Sequence, residues 1–170
     1  MTRPTSVTIV EVGPRDGLQN EATSIATDQK IEFVNRLSAA GLTTIEAGAF
    51  VSPRWVPQMA DAEAVFAGIT RTPGVRYAAL VPNLAGLERA RAAGVEDIGI
   101  FAAASESFSR KNINQSIQES LATYRQVCAR AGELGMRVRG YVSTAFGCPF
   151  EGDVPPDRVA DVSEALAAMG

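Results

Sequence analysis

Histidine is absent from this sequence. That removes the commonest general base and the commonest transition-metal ligand from the chain's own repertoire. Lysine is nearly absent too, with only Lys30 and Lys111. Phosphate affinity needs clustered positive charge, and a chain with a net charge of −3 and no basic tract has none, so no nucleic acid is expected as a partner. The two cysteines, Cys128 and Cys148, make neither a disulfide framework nor a zinc pattern. No stretch is long and apolar enough to span a bilayer, so no membrane partner is expected. The first apolar run starts almost at Met1. That leaves no room for a leader segment, and a cytoplasmic setting is the expectation. No Gly-x-Gly-x-x-Gly opens the first helix, so the dinucleotide fingerprint is missing. Chemistry must therefore come from carboxylates, arginine, lysine, amides, hydroxyls and thiols.

What is present is a repeating unit. The chain has 170 residues and is 46% hydrophobic, enough for a core and suggestive of one domain. Apolar runs predict strands at Val7 to Val12, Thr44 to Ala49, Arg76 to Val81, Asp97 to Ala102 and Arg137 to Val142. Helical periodicity predicts helices at Asp28 to Ala40 (capped by Thr27), Asp61 to Phe66, Leu84 to Ala93, Ile117 to Leu134 and Pro156 to Met169. Ser116 and Glu119 stand at capping-box spacing. Ala40-Gly41-Leu42, Ala93-Gly94-Val95 and Leu134-Gly135-Met136 are near copies, each leading straight into a strand. The spacing, roughly 30 to 45 residues, marks a parallel sheet with right-handed crossovers. The fold class is α/β, either an open doubly wound sheet or part of a (β/α)8 barrel. A full barrel needs about 250 residues, and about five βα units are present here.

Helix-to-strand turns are short, whereas every strand is followed by a polar loop. That asymmetry fits a barrel whose working face lies at the carboxyl ends of the strands. After the first predicted strand comes Gly-Pro-Arg-Asp-Gly-Leu-Gln-Asn-Glu. Asp16 offers hard oxygens to a divalent cation, and Arg15 offers a planar fork to a carbonyl or carboxylate. Taken in isolation, the same pair reads as a surface ion pair capping a turn. Glu46 lies inside an apolar strand and needs a partner, since an unpaired buried charge is very costly. Arg15 is the obvious one, either for stability alone or as part of a site. Trp55, in the loop after that strand, either walls a pocket or packs on its rim.

After the fourth strand, Arg110, Lys111 and Asn112 stand just before a helix. They read either as a phosphate grip aided by the helix N-terminus or as a solvated loop with Asn114 as cap. Cys128 reads as a small core residue within a helix. Cys148, with no histidine to activate it, reads as a packed structural thiol rather than a nucleophile.

GPRDGLQNE, IEAGAFVSPRWVPQM, SRKNINQSI and VRGYVSTAFGCPFEGDV together resemble the hydroxymethylglutaryl-CoA lyase family. That family lies within a metal-dependent barrel superfamily that also holds isopropylmalate and homocitrate synthases. The Arg-Asp-Gly-x-Gln core marks only the superfamily, while the VSPRWVPQM and GCPFEG segments are closer to the lyases. The resemblance runs from about Val7 to Gly170. It implies an incomplete (β/α)8 TIM barrel, with residues 1–170 as the N-terminal part of a pyruvate carboxyltransferase-like lyase domain.

The resemblance also implies an activity, the cleavage of 3-hydroxy-3-methylglutaryl-CoA to acetoacetate and acetyl-CoA, as in leucine degradation and ketone body metabolism. The implied cofactor is a divalent metal, Mg2+ or Mn2+, with Asp16 as a ligand. Arg15 would neutralise charge on the thioester enolate, Glu46 would hold that arginine, and Gln19 would line the pocket. Asn112 would lie along the path of the coenzyme A thioester substrate. Small-molecule acyl-CoA is the implied partner, and a homo-oligomer is compatible with it. In the family a His-x-His pair and an asparagine complete the metal shell, and a cysteine on a late glycine-rich loop protonates the enolate. This sequence contains none of these elements, so the 170-residue chain alone is expected to be inactive. Two other readings stand beside the lyase: a Claisen-condensing synthase of the same superfamily, and a non-catalytic half-barrel that binds acyl-CoA or pairs through its open strand edges.

Overall fold

Four of the five predicted strands form, and each is followed by a helix. The computed structural model describes residues 5–170. Its contacts fall into two units, one built from the chain up to Leu80 with Arg89–Val95, the other from Val81–Glu88 with Glu96–Gly170.

In the first unit, α1 (Thr27–Ala39) leads through Gly41, at φ +92°, into β1 (Thr44–Ala49). A left-handed glycine ends the helix without the Cβ penalty another residue would incur. A 3-10 turn (Pro57–Met59) and α2 (Ala62–Gly68) follow, then β2 (Arg76–Leu80), parallel to β1. Every residue of β1 is buried, as expected of a parallel strand covered on both faces. Val34, Ile45, Phe50, Val65 and Phe66 form the apolar centre, with the Phe50 and Phe66 rings 5.7 Å apart. The β1–β2 register shifts between Glu46 and Gly48. Such an irregularity bends a strand and re-aims its side chains, here beside the one charged residue of β1.

The predicted strand Val7 to Val12 contracts to a single parallel bridge, Glu11 to Ile45. Glu11 N donates to Thr44 O and Glu46 N donates to Glu11 O. Val7 and Ile9 are largely exposed. An apolar run becomes a strand only where a neighbour supplies the ladder, and among the described residues that neighbour meets it only at Glu11. The predicted Thr27 cap also changes. The helix starts at Thr27 itself, after Ala26, and the Thr27 hydroxyl instead donates to Asp61 Oδ2 at 2.8 Å.

α3 (Leu84–Ala92) is divided between the two units. In the second unit, β3 (Asp97–Ala103) pairs in parallel with β4 (Arg137–Ser143), in register from Asp97 with Arg137 to Ala103 with Ser143. Between them lie α4 (Glu106–Ile113) and α5 (Ile117–Glu133), and α6 (Pro156–Ala167) follows. The Ser116–Glu119 capping box forms as predicted, with reciprocal bonds of 3.1 and 2.7 Å. Leu121, Tyr124, Val127 and Ala131 recur at helical spacing and form the buried face of α5.

α4 replaces a predicted loop. Ser105 caps it by accepting from Phe108 N at 3.1 Å, Glu106 stands in its first turn, and Arg110 and Lys111 stand in its last. That charge order complements the helix dipole. Asn114 adopts the left-handed conformation, φ 55°, at the helix's end, so it closes α4 rather than opening the next helix. No helix among the described residues is long and apolar enough to cross a membrane.

Candidate active site

The Gly13-Pro14 pair ends the β path and starts a π-helical turn, Gly13–Gly17. Wide turns of this kind are uncommon and recur at functional sites. Pro14 has no N–H and suits the first positions of a helical turn. Val12 O accepts from both Arg15 N and Asp16 N, at 3.0 and 2.7 Å. The Glu11 carboxylate accepts from Gly13 N at 2.6 Å and fixes the start of the turn. The turn therefore presents Arg15 and Asp16 from a backbone bonded on both sides.

Arg15 connects two carboxylates. Its Nε donates to Glu46 Oε1 at 2.5 Å, and its Nη1 donates to Asp16 Oδ1 at 2.6 Å. The Glu46 side chain is wholly buried, that of Arg15 is 12% exposed and that of Asp16 is 57% exposed. The series runs from a carboxylate in the core, through an arginine at the boundary, to a carboxylate at the surface. The structure thus brings together Arg15, Asp16 and Glu46, the three residues singled out in this region. The arginine is neither a loose surface ion pair nor entirely committed to Glu46.

Gln19 lies one turn further on. Its Oε1 is buried and has no hydrogen-bond partner. Leaving a buried acceptor unpaired is costly, and such an atom is usually satisfied by ordered water or has a functional role.

The metal-ligand set does not close. No group of three or more His, Cys, Asp or Glu side chains that could hold an ion occurs among the described residues. Asp16 supplies one carboxylate, and Oδ1 of that carboxylate is already on Arg15. Magnesium demands near-octahedral oxygen coordination, so these residues do not fit the ion by themselves.

In the second unit the candidate phosphate-gripping residues are helical. Arg110, Lys111 and Asn112 sit in the last turn of α4, a few residues ahead of the α5 N-terminus at Ser116, and not in a solvated loop. A helix C-terminus carries partial negative charge, which favours these cations but not an anion beside them. Arg110 pairs with Glu106 at 3.2 Å, and Lys111 Nζ stands 3.8 Å from the Phe150 ring centre. Asn112 is exposed.

Cys128 and Cys148 are both buried free thiols, as expected of structural cysteines. Burial pushes the Cys128 thiol up. At Cys148 burial also pushes upward. There the hydrogen bond with Ser105 Oγ, at 2.9 Å, together with the Phe150 and Glu151 backbone N–H groups, outweighs it and leaves the thiol below its usual value.

Sequence reasoning missed Gln58. Its amide reaches three backbone groups of the segment that follows the Arg15–Asp16 turn. The available signal was a glutamine between Pro57 and Met59 in an otherwise apolar turn. Trp55, in the preceding loop, is 85% exposed, so it walls no pocket among the described residues.

Parallel strands alternating with helices, and an arginine clasped between two carboxylates after the first β segment, define a partial (β/α)8 barrel with a polar site beyond its strands. The HMGL-like family matches residues 6–170, and the chain belongs to that family. A cytoplasmic 3-hydroxy-3-methylglutaryl-CoA lyase of Rattus norvegicus is 58% identical over 98% of this chain and 49% of its own length. The crystal structure of hydroxymethylglutaryl-CoA lyase from Pseudomonas aeruginosa superposes with a TM-score of 0.95 at 56% identity, covering 98% of this chain and 56% of that one. An HMG-CoA lyase structure from Acinetobacter baumannii, in complex with coenzyme A and 3-methylmalate, is 38% identical, with a TM-score of 0.92 over 100% of this chain and 56% of the other. The chain spans about half the length of the relatives it matches.

Proposed function

We propose that the protein formed with this chain is a hydroxymethylglutaryl-CoA lyase, which cleaves 3-hydroxy-3-methylglutaryl-CoA to acetoacetate and acetyl-CoA. The observation that carries the reading is the clasp on Arg15. Two carboxylates hold its Nε and Nη1, one from the core and one from the surface.

In the reaction a base removes the proton of the tertiary hydroxyl, and the carbon–carbon bond next to the thioester methylene breaks. The new ketone is acetoacetate. The electron pair passes to the thioester as an enolate, which takes a proton to become acetyl-CoA. Negative charge on the thioester oxygen exists only during this step. A guanidinium fixed beforehand toward that oxygen stabilises the transition state more than the ground state, the condition for raising a rate. Glu46 aims the guanidinium from the core side and Asp16 from the solvent side.

Gln19 is proposed to give its unpaired Oε1 to substrate, and Asn112 to lie near the coenzyme A portion. Asp16 is proposed as one ligand of a magnesium or manganese ion whose remaining ligands lie outside this chain. Residues 1–170 are read as the N-terminal part of the lyase domain. Acyl-CoA is the proposed partner, and the cytoplasm the proposed setting.

The test is to express the entire reading frame and follow acetoacetate release from hydroxymethylglutaryl-CoA. Turnover is expected, and Arg15→Gln is expected to lower kcat by about 100- to 1,000-fold. Condensation of a 2-ketoacid with acetyl-CoA, without cleavage, would overturn the reading in favour of a synthase.

A further inference from the structure

Gln58 lies on the 3-10 turn Pro57–Met59, and its side chain works on a different part of the same unit. Nε2 donates to Glu21 O at 2.9 Å and to Thr23 O at 2.6 Å, so both amide hydrogens are used. Oε1 accepts from Ile25 N at 3.4 Å. One side chain thus satisfies three backbone groups between Glu21 and Ile25. The base of that side chain is fixed as well. Lys30, a buried ammonium, donates to Gln58 O at 2.5 Å and to Asp61 Oδ1 at 2.7 Å, and Thr27 holds the other Asp61 oxygen.

From Glu21 the order runs back to the reactive turn. Glu21 N donates to Leu18 O and Asn20 N to Gly17 O, both at 3.2 Å, while Asn20 Nδ2 donates to Asp16 O at 2.8 Å. Asp16 is therefore held from the far side by a hydrogen-bonded path that ends at Gln58. We propose that Gln58 is a positioning residue that fixes the Arg15–Asp16 turn. Its kinetic consequence rests on the lyase reading; its structural consequence does not.

Glutamine suits this work because a neutral amide donates twice and accepts once at a single point. Methionine has similar bulk and no donor. Glutamate has two acceptors when ionised and regains one donor only when protonated. The two substitutions therefore separate volume from hydrogen bonding.

The experiment uses the protein from the entire reading frame, with Gln58→Met and Gln58→Glu. Gln58→Met is expected to lower kcat by about 10- to 100-fold, with KM changed less than about twofold, because a misaimed catalytic group costs rate rather than binding. Gln58→Glu is expected to show a ratio of activity to wild type that rises as pH falls, since protonation restores a donor to the Thr23 carbonyl. A purely structural role would leave that ratio flat with pH, and that result would overturn the proposal. The Arg15 Nε–H resonance of 15N-labelled protein gives a second readout, independent of turnover. It is expected to shift or broaden in both variants. An unchanged resonance in a folded variant overturns the proposal even if the protein cleaves no hydroxymethylglutaryl-CoA, in which case the lyase reading fails separately. Should Gln58→Met not fold, Gln58→Glu measured at low pH decides.

Discussion

Glu46 accepts from Arg15 Nε at 2.5 Å, with the carboxylate wholly buried and the guanidinium nearly so. Removing one partner strands the other charge out of water, which typically costs about 3–5 kcal/mol. Glu46→Gln is therefore expected to lower the urea midpoint substantially and to lower activity with it. Arg15→Lys keeps the charge but loses the planar fork, since an ammonium cannot reproduce paired donation to Glu46 and Asp16. It is expected to retain most of the stability and little of the activity. Urea unfolding and lyase assays on the two variants should separate the effects.

The Tyr124 phenol is pushed up to about 12 by burial, with a smaller opposing pull from its hydrogen bond to the Phe101 backbone. An unfolded tyrosine ionises near pH 10, as about 10 is its ordinary value. Between those pH values the unfolded chain has lost a proton that the folded chain retains, so stability falls as pH rises through this window. Tyr77 departs the other way. Burial raises it, but hydrogen bonds from Ser38 and Thr72 outweigh burial and leave it below its usual value. Ultraviolet titration of tyrosinate should show Tyr124 ionising well after Tyr77, together with unfolding. Tyr124→Phe should remove that late step.

Glu151 ties the loop after β4 to the start of α4. Ser107 N donates to its Oε1 at 2.6 Å, and Arg158 stands 3.3 Å from its other oxygen. The Ser107 backbone and hydroxyl hold the carboxyl below the usual carboxylate range. Its contribution is complete above the unfolded value and is lost as pH falls through the lower folded one. The protection of the Ser107 amide against hydrogen exchange, relative to its intrinsic rate at each pH, should fall on acidification through that range. Glu151→Gln, which keeps an acceptor but does not titrate, should abolish the acid step.

Asp16 is the exposed carboxylate of the Arg15 clasp, and among the described residues no group of three or more metal-ligating side chains surrounds it. Calorimetry of the 170-residue chain with Mg2+ should detect at most weak binding, and acetyl-CoA release should be absent. Robust metal-dependent turnover by these residues alone would contradict the proposed division of the site. In the protein from the entire reading frame, Asp16→Asn should weaken metal affinity, because a neutral amide replaces a charged oxygen ligand.

Much of this was legible in the sequence because burial and capping leave local marks. Glu46 had to find a cation, and Arg15 was the nearest in the order of elements. Ser116 and Glu119 announced α5 by spacing alone. The strand at Val7 to Val12 was not legible, because a ladder depends on a neighbour and not on the run itself. α4 was hidden by Ser, Asn and charged residues of middling helix propensity, although its cap and charge order were there to be read. Gln58 was invisible for a different reason. Its partners are backbone carbonyls and an N–H, which every residue has and no letter distinguishes.

Trp55 is the chain's one tryptophan and stands 85% exposed in the loop between β1 and the turn that carries Gln58. An indole already bathed in water emits much the same light whether the chain around it is folded or not. Intrinsic fluorescence is thus nearly blind to the folding of these residues. It becomes informative only when something covers that loop, which makes the same residue a built-in reporter of whatever docks there.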